Sequence, residues 1–167
     1  MSSESVSQHR QEAHKQIRCA VITVSDTRTI ETDRGGQTIL EFLASANHEV
    51  VNRVIVPDEP SRITAAIQQL SSAEAILITG GTGISKRDQT YETIVELLDK
   101  EISGYGELFR MLSFKEIGAA AMLSRATGGI MENTVILTMP GSTAAVRLAM
   151  EQLILPELAH LVFEANK

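Results

Sequence analysis

Apolar residues along this chain come in short blocks whose period switches between that of a strand and that of a helix. Four blocks, 17–24, 49–56, 75–78 and 135–139, are dense in Ile, Val and Leu and read as strands. The run Ala75-Ile76-Leu77-Ile78 has no polar alternation, the mark of a strand covered on both faces in a parallel sheet. Between the blocks, apolar residues recur at helical spacing. Ile39, Leu40, Leu43 and Ala46 form one stripe, ended by Asn47-His48. Ile63, Ala66, Ile67 and Leu70 form a second over 62–70, with Ser61 placed to cap it. A third helix is expected over 90–99, then a break at Gly104-Tyr105-Gly106, a helix over 107–117 and a small-residue helix over 119–123. A closing helix over 144–163 is expected to kink or divide at Pro156. Strands alternating with helices predict an α/β protein, a three-layer α/β/α sandwich with a mostly parallel central sheet. The polar first fifteen residues show no period and are expected to form a flexible arm, leaving 16–167 as one domain.

In a sheet of this kind a ligand binds beyond the carboxyl ends of the strands. Four loops lie there. Ser25-Asp26 follows the first strand, Asp58 the second, Gly80-Gly81-Thr82-Gly83 with Asp88 the third, and Pro140-Gly141-Ser142 the last. The glycine-rich loop between a strand and a helix suits a phosphate, although it is neither a Walker A nor a GxGxxG motif, and a tight turn explains it equally. Asp88 reads either as a carboxylate for Mg²⁺ on a nucleotide or as a helix cap. Asp26 and Asp58 are ordinary turn residues taken singly. Three carboxylates on one edge repel one another, and a cation among them would relieve that. Pro140-Gly141-Ser142 opens a helix, with Ser142 as cap or as anion ligand.

Composition narrows the partners. Net charge is −6 with no basic block, and Trp is absent, so nucleic acid is not an expected ligand. No apolar run is long enough for a membrane span, and the start of the chain lacks a signal-peptide core. The single cysteine, Cys19, lies in an apolar block and reads as a buried small hydrophobe, which suits the cytoplasm. The four histidines lack metal-ligand spacing, and Met111, Met122, Met131, Met139 and Met150 read as core filler.

Taken together the motifs resemble a known family. Thr79-Gly80-Gly81-Thr82-Gly83 followed by Arg87-Asp88 is similar to the TGGTG…RD signature of the MoaB/MogA family of molybdenum cofactor biosynthesis, shared by the gephyrin G domain. Ser25-Asp26, Pro57-Asp58, Gly104-Tyr105-Gly106-Glu107, Leu123-Ser124-Arg125 and Met139-Pro140-Gly141-Ser142 match in the expected order. The run 109–114 resembles the MoaB branch more than the MogA branch. Thr90-Tyr91-Glu92 stands where many members have Thr-Pro-Glu.

The resemblance implies molybdopterin as substrate, ATP as co-substrate with Mg²⁺, and adenylylated molybdopterin and pyrophosphate as products. It implies Asp58 and Asp88 as the catalytic pair and as ligands of Mg²⁺. Ser25, Asp26, Gly80, Gly81, Thr82, Gly83, Glu107, Arg110, Ser124, Arg125, Pro140, Gly141 and Ser142 become the substrate and nucleotide set. It further implies a homo-oligomer, a trimer or hexamer, working beside other molybdenum cofactor biosynthesis proteins. Two other readings stay open on the sequence: a non-catalytic molybdopterin carrier of the same fold, and a nucleotide pyrophosphatase.

Overall fold

The structure, a computed structural model, describes residues 16–167, so the arm expected over 1–15 lies outside the described residues. Six strands form one sheet: β1 (Arg18–Val24), β2 (Glu49–Val56), β3 (Ala75–Thr79), β4 (Lys100–Glu101), β5 (Gly128–Met131) and β6 (Thr134–Met139). Their order is β2-β1-β3-β6-β5-β4. The first four of that series pair in parallel, with Ile22 opposite Ile78 and Leu77 opposite Leu137. The helices are α1 (Arg34–Ser45), α2 (Pro60–Gln69), α3 (Thr90–Leu97), α4 (Ser103–Ile117), α5 (Thr143–Ala149) and α6 (Leu155–Ala165). Successive residues of a strand face opposite sides, so β1 divides its side chains between two cores. Cys19 and Val21 meet Ile39 and Leu43 of α1, Phe109 of α4, and α5 and α6. Ala20 and Ile22 meet Ile63 and Ile67 of α2 and Ile94 of α3. This is the expected three-layer sandwich, and Cys19 is fully buried in it, its thiol pushed up to about 12 by desolvation.

Several elements differ from the sequence reading. α1 begins earlier than the apolar stripe indicated, because Asp33 caps it, its side chain accepting from Gly36 N–H. α2 begins at Pro60, where proline at the first turn needs no N–H partner, and Ser61 lies inside the helix rather than capping it. Gly104-Tyr105-Gly106 does not break the chain. It forms the first turn of α4, drawn inward because Tyr105 is buried and its hydroxyl donates to Thr138 O at 2.9 Å. Residues 118–123 wind as a 3₁₀ turn rather than an α-helix. The hairpin β5–β6 and the two-residue β4 are antiparallel. They were invisible as strands, since Gly128-Gly129 carries no strand propensity. Ahead of Pro156, residues Met150–Ile154 widen into a π-helical turn that divides the closing helix. Met139 and Met150 are core residues as read, but Met111 and Met122 are exposed.

The strand order reverses beside β1: the chain moves from β1 to β2 on one side and then to β3 on the other. The carboxyl ends of β1 and β3 therefore border the switch point, where the crossover connections leave a crevice.

Candidate functional site

A cleft of ≈ 720 Å³ opens at that switch point. Ser25, Gly80, Gly141 and Ser142 line it together, as the sequence anticipated, with Arg28, Asp33, Arg34 and Gly35 added by the structure. The volume suits a nucleotide- or pterin-sized guest. Ser142 caps α5, its Oγ accepting from Ala145 N–H at 3.2 Å. Thr79 Oγ1 donates to Pro140 O at 3.2 Å and Gly80 N–H to Met139 O at 3.0 Å, which lock the β3 and β6 loops side by side.

The glycine loop is held from three directions. Gly80 has φ +100° and Gly81 φ +65°, values that L side chains seldom adopt. A β-carbon on Gly80 would collide with Val24 O, and one on Gly81 with Thr90 Oγ1 and Asp58 Oδ2. The close approach that these glycines permit is thus made by the protein's own β1 backbone and by Asp58. Arg125 clamps the far side. Its N–H donates to Thr82 O (3.0 Å), its Nε to Gly83 O (2.7 Å) and its Nη2 to Asp88 O (3.2 Å), while Nη1 pairs with Glu92. The guanidinium lies 5.2 Å from the Tyr91 ring centroid, so Tyr91 serves it as a cation–π platform.

The three strand-end carboxylates converge as expected, but their environments separate them. Asp26 is exposed and gripped by Arg87, which donates through Nε and Nη2 at 2.7 and 2.8 Å. That hydrogen bonding, with the Asp58 N–H at 3.1 Å on Oδ1, pulls its pKa down to about 2. The cation that relieves Asp26 is therefore Arg87, which also stands 3.5 Å from Glu59. Asp58 is only 6% exposed. Its Oδ1 accepts from Gln89 N–H (3.0 Å) at the N-terminus of α3, and among the described residues its Oδ2 accepts nothing. Burial raises its pKa, helped by the neighbouring charges of Asp88 and Asp26. Asp88 is half-buried; its Oδ2 accepts from Ser85 N–H at 2.8 Å, and it does not cap α3, whose cap position is Gln89.

The remaining residues of the expected set are more scattered. Thr82, Gly83, Ser124, Pro140 and Ser142 line a second, mainly apolar recess of ≈ 230 Å³ against Phe109 and Ser113 of α4. Ser25 and Asp26 also border a groove of ≈ 710 Å³ beside β2, with Arg53 and Arg87. Arg110 lies under the segment that leads into β5, its Nη1 donating to Ala126 O at 3.3 Å. Glu107 is exposed on α4 and lines none of these three clefts.

The sequence reading missed Asp33, which organises the cleft wall. Its Oδ2 accepts from the Thr23 hydroxyl (2.6 Å) and Arg53 Nη2 (2.9 Å), and Oδ1 accepts from Gly36 N–H (2.8 Å). Burial opposes ionisation, but these three donors outweigh it and lower the pKa. The signal was available: an Asp just before the first basic residue of a helix is a capping pattern.

A family profile described as "Probable molybdopterin binding domain" matches residues 20–160. The chain belongs to the MoaB/MogA family of molybdenum cofactor biosynthesis proteins. Molybdenum cofactor biosynthesis protein B of Bacillus cereus is 50% identical over 167 residues, covering 98% of this chain and 99% of that protein. Its counterpart in Bacillus subtilis is 48% identical, with 98% of each covered. A crystal structure of molybdenum cofactor biosynthesis protein B is 51% identical and superimposes with a TM-score of 0.89 over 91% of this chain and 97% of that one. The tungsten cofactor synthesizing protein MoaB from Pyrococcus furiosus is 38% identical, with a TM-score of 0.84 over 92% and 99%. The sheet order and the strand-end loops described above are thus those of a MoaB/MogA family member.

Proposed function

We propose that this family member adenylylates molybdopterin with Mg-ATP, giving adenylylated molybdopterin and pyrophosphate. The observation that carries the reading is that Asp58 and Asp88 flank the glycine loop, against Gly81 and Gly83, close enough for their charges to interact; neither carboxylate lines the 720 Å³ cleft, which the loop reaches through Gly80. A terminal phosphate oxygen of molybdopterin attacks the α-phosphorus of ATP. The new P–O bond forms as the α–β bridging bond breaks, and pyrophosphate leaves with the electron pair. Two anions must meet, so catalysis here is mostly positioning and charge neutralisation.

The residues present fit one nucleotide-borne Mg²⁺. Among the described residues no three His, Cys, Asp or Glu side chains form a metal cage. Mg²⁺ usually takes one or two carboxylates and completes its shell with substrate phosphates and water, so a cage is not required. Asp58, with its unpaired Oδ2, and Asp88 would hold the ion, and Asp26 is already committed to Arg87. When bound, the ion supplies charge neutralisation on the phosphates. The chain itself supplies the Arg28 and Arg34 guanidinium groups for anion binding, the start of α1 being already capped by Asp33.

Incubating the purified protein with molybdopterin and Mg-ATP, and separating the products by chromatography, tests the reading. Adenylylated molybdopterin with one equivalent of pyrophosphate is expected. Molybdopterin retained without turnover would replace the proposal with a carrier role. Pyrophosphate and AMP formed without molybdopterin would replace it with a nucleotide pyrophosphatase.

A further inference from the structure

Thr90 is fully buried, and among the described residues its Oγ1 has no hydrogen-bond partner. A buried hydroxyl left unpaired is destabilising, whereas an aliphatic side chain of the same shape would carry no such penalty. The position nonetheless uses threonine. Its surroundings supply the reason. The backbone N–H of Thr90 donates to Gly81 O at 3.2 Å, so the first residue of α3 is tied to the glycine loop. A β-carbon on Gly81 would collide with both Thr90 Oγ1 and Asp58 Oδ2, which places the two oxygens on the same side of Gly81. Asp58 is anchored through Oδ1 alone, by Gln89 N–H, the residue before Thr90.

The geometry points to Thr90 as a positioning residue for Asp58. Its hydroxyl stands beside Oδ2 as the donor that meets it whenever the carboxylate turns about its Gln89 anchor, which confines Asp58 to a narrow range of orientations both in the resting chain and through the reaction. The inference rests on the adenylylation proposed above for its kinetic consequence, but not for its structural one. Thr90→Val keeps the β-branched shape and removes the hydroxyl; Thr90→Ser keeps the hydroxyl.

The test follows both variants by thermal melting, by amide NMR and by adenylylation kinetics. Thr90→Val is expected to melt no lower than the parent chain, because an unpaired buried hydroxyl has gone. Its Gln89 and Asp58 amide resonances shift, since both N–H groups report on carboxylates of this cluster. Its kcat falls about tenfold with little change in the KM for ATP, and Thr90→Ser restores both signals. A Gln89 amide in Thr90→Val that is superimposable on the parent's overturns the inference, as does an unchanged kcat. If the parent chain makes no adenylylated product, the functional reading fails by itself, and the Gln89 resonance alone decides the role of Thr90.

Discussion

Asp58 and Asp33 are both buried carboxylates at strand or helix ends, yet their surroundings push them in opposite directions, and each direction is measurable. Burial raises the pKa of Asp58. A raised folded-state pKa means that the native state binds the proton more tightly than the unfolded chain. Its ionised form therefore costs stability at neutral pH, and the cost fades as pH falls through the folded pKa. Asp58→Asn keeps an acceptor for Gln89 N–H. It is expected to melt at or above the parent temperature at pH 7, with the difference closing on acidification. Adenylylation by this variant should fall by about 10²–10³, and by a similar factor in Asp88→Asn. Near-normal turnover in both at saturating Mg-ATP would remove the pair from the catalytic machinery. Asp33 is the opposite case. Its depressed pKa contributes stability that is fully present above the ordinary carboxylate range and lost as pH falls through the folded value. Asp33→Ala leaves Arg53, whose side chain is 13% exposed, without its ion partner, and leaves α1 uncapped. Urea titration at pH 7 should show a loss of about 3 kcal/mol, shrinking toward acid pH. A loss below about 1 kcal/mol would mean that the pair behaves like a surface salt bridge.

At the scale of elements, the glycine loop is where sequence and structure part most usefully. From the sequence, Gly81→Val is expected to abolish ligand binding more than it lowers stability, because the glycines were read as making room for a phosphate. The structure fills that room with Asp58 and Thr90 and holds Gly81 at φ +65°. We therefore expect Gly81→Val to lose about 3 kcal/mol of stability through backbone strain and overpacking, with ligand binding lost alongside. A thermal melt beside a calorimetric titration with ATP checks this; an undiminished melting temperature would restore the sequence reading. The same contrast shows what was legible. Unbroken apolar blocks such as Ile76-Leu77-Ile78 reveal buried strands because burial on both faces leaves a one-dimensional trace. The loops at their ends revealed the site for the same topological reason. Contacts between distant loops leave no such trace. That Arg87 neutralises Asp26, that Arg125 clamps 82–88, and that Tyr105 draws a glycine-flanked turn into a helix depend on side chains from separate elements meeting. Nor could a pattern of period two reveal β4 and β5, which are two and four residues long and exist by pairing, β5 on β6 and β4 on β5.

At the scale of the whole molecule, the described residues leave one face of the helical layer uncovered. Leu108, Met111, Phe114 and Ile117 recur every third residue along α4, and Met122 and Leu123 extend the surface through the 3₁₀ turn. Their exposures run from 47% at Leu108 to 74% at Met122. Phe109 and Ser113, on the opposite side of the same helix, are buried in the monomer. A helix that buries one face on its sheet and presents a second apolar face outward marks an interaction surface. Met111 and Met122, read from the sequence as core filler, are better placed as deformable contacts on that surface. The family resemblance favours another copy of the chain as the partner, in a trimer or a hexamer. A head-to-tail contact made through this face closes into a ring when its rotation permits. Light scattering at micromolar concentration should return a trimer or a multiple of it for the parent chain. Phe114→Glu combined with Met122→Glu should shift the mass toward the monomer while leaving the Phe109 side of α4 packed. The melting temperature of the parent chain should rise with protein concentration, because association stabilises only the folded state, and that dependence should vanish in the double variant. A parent chain that is monomeric at every concentration would rule out the assembly. An oligomer of unchanged mass in the double variant would move the interface away from α4.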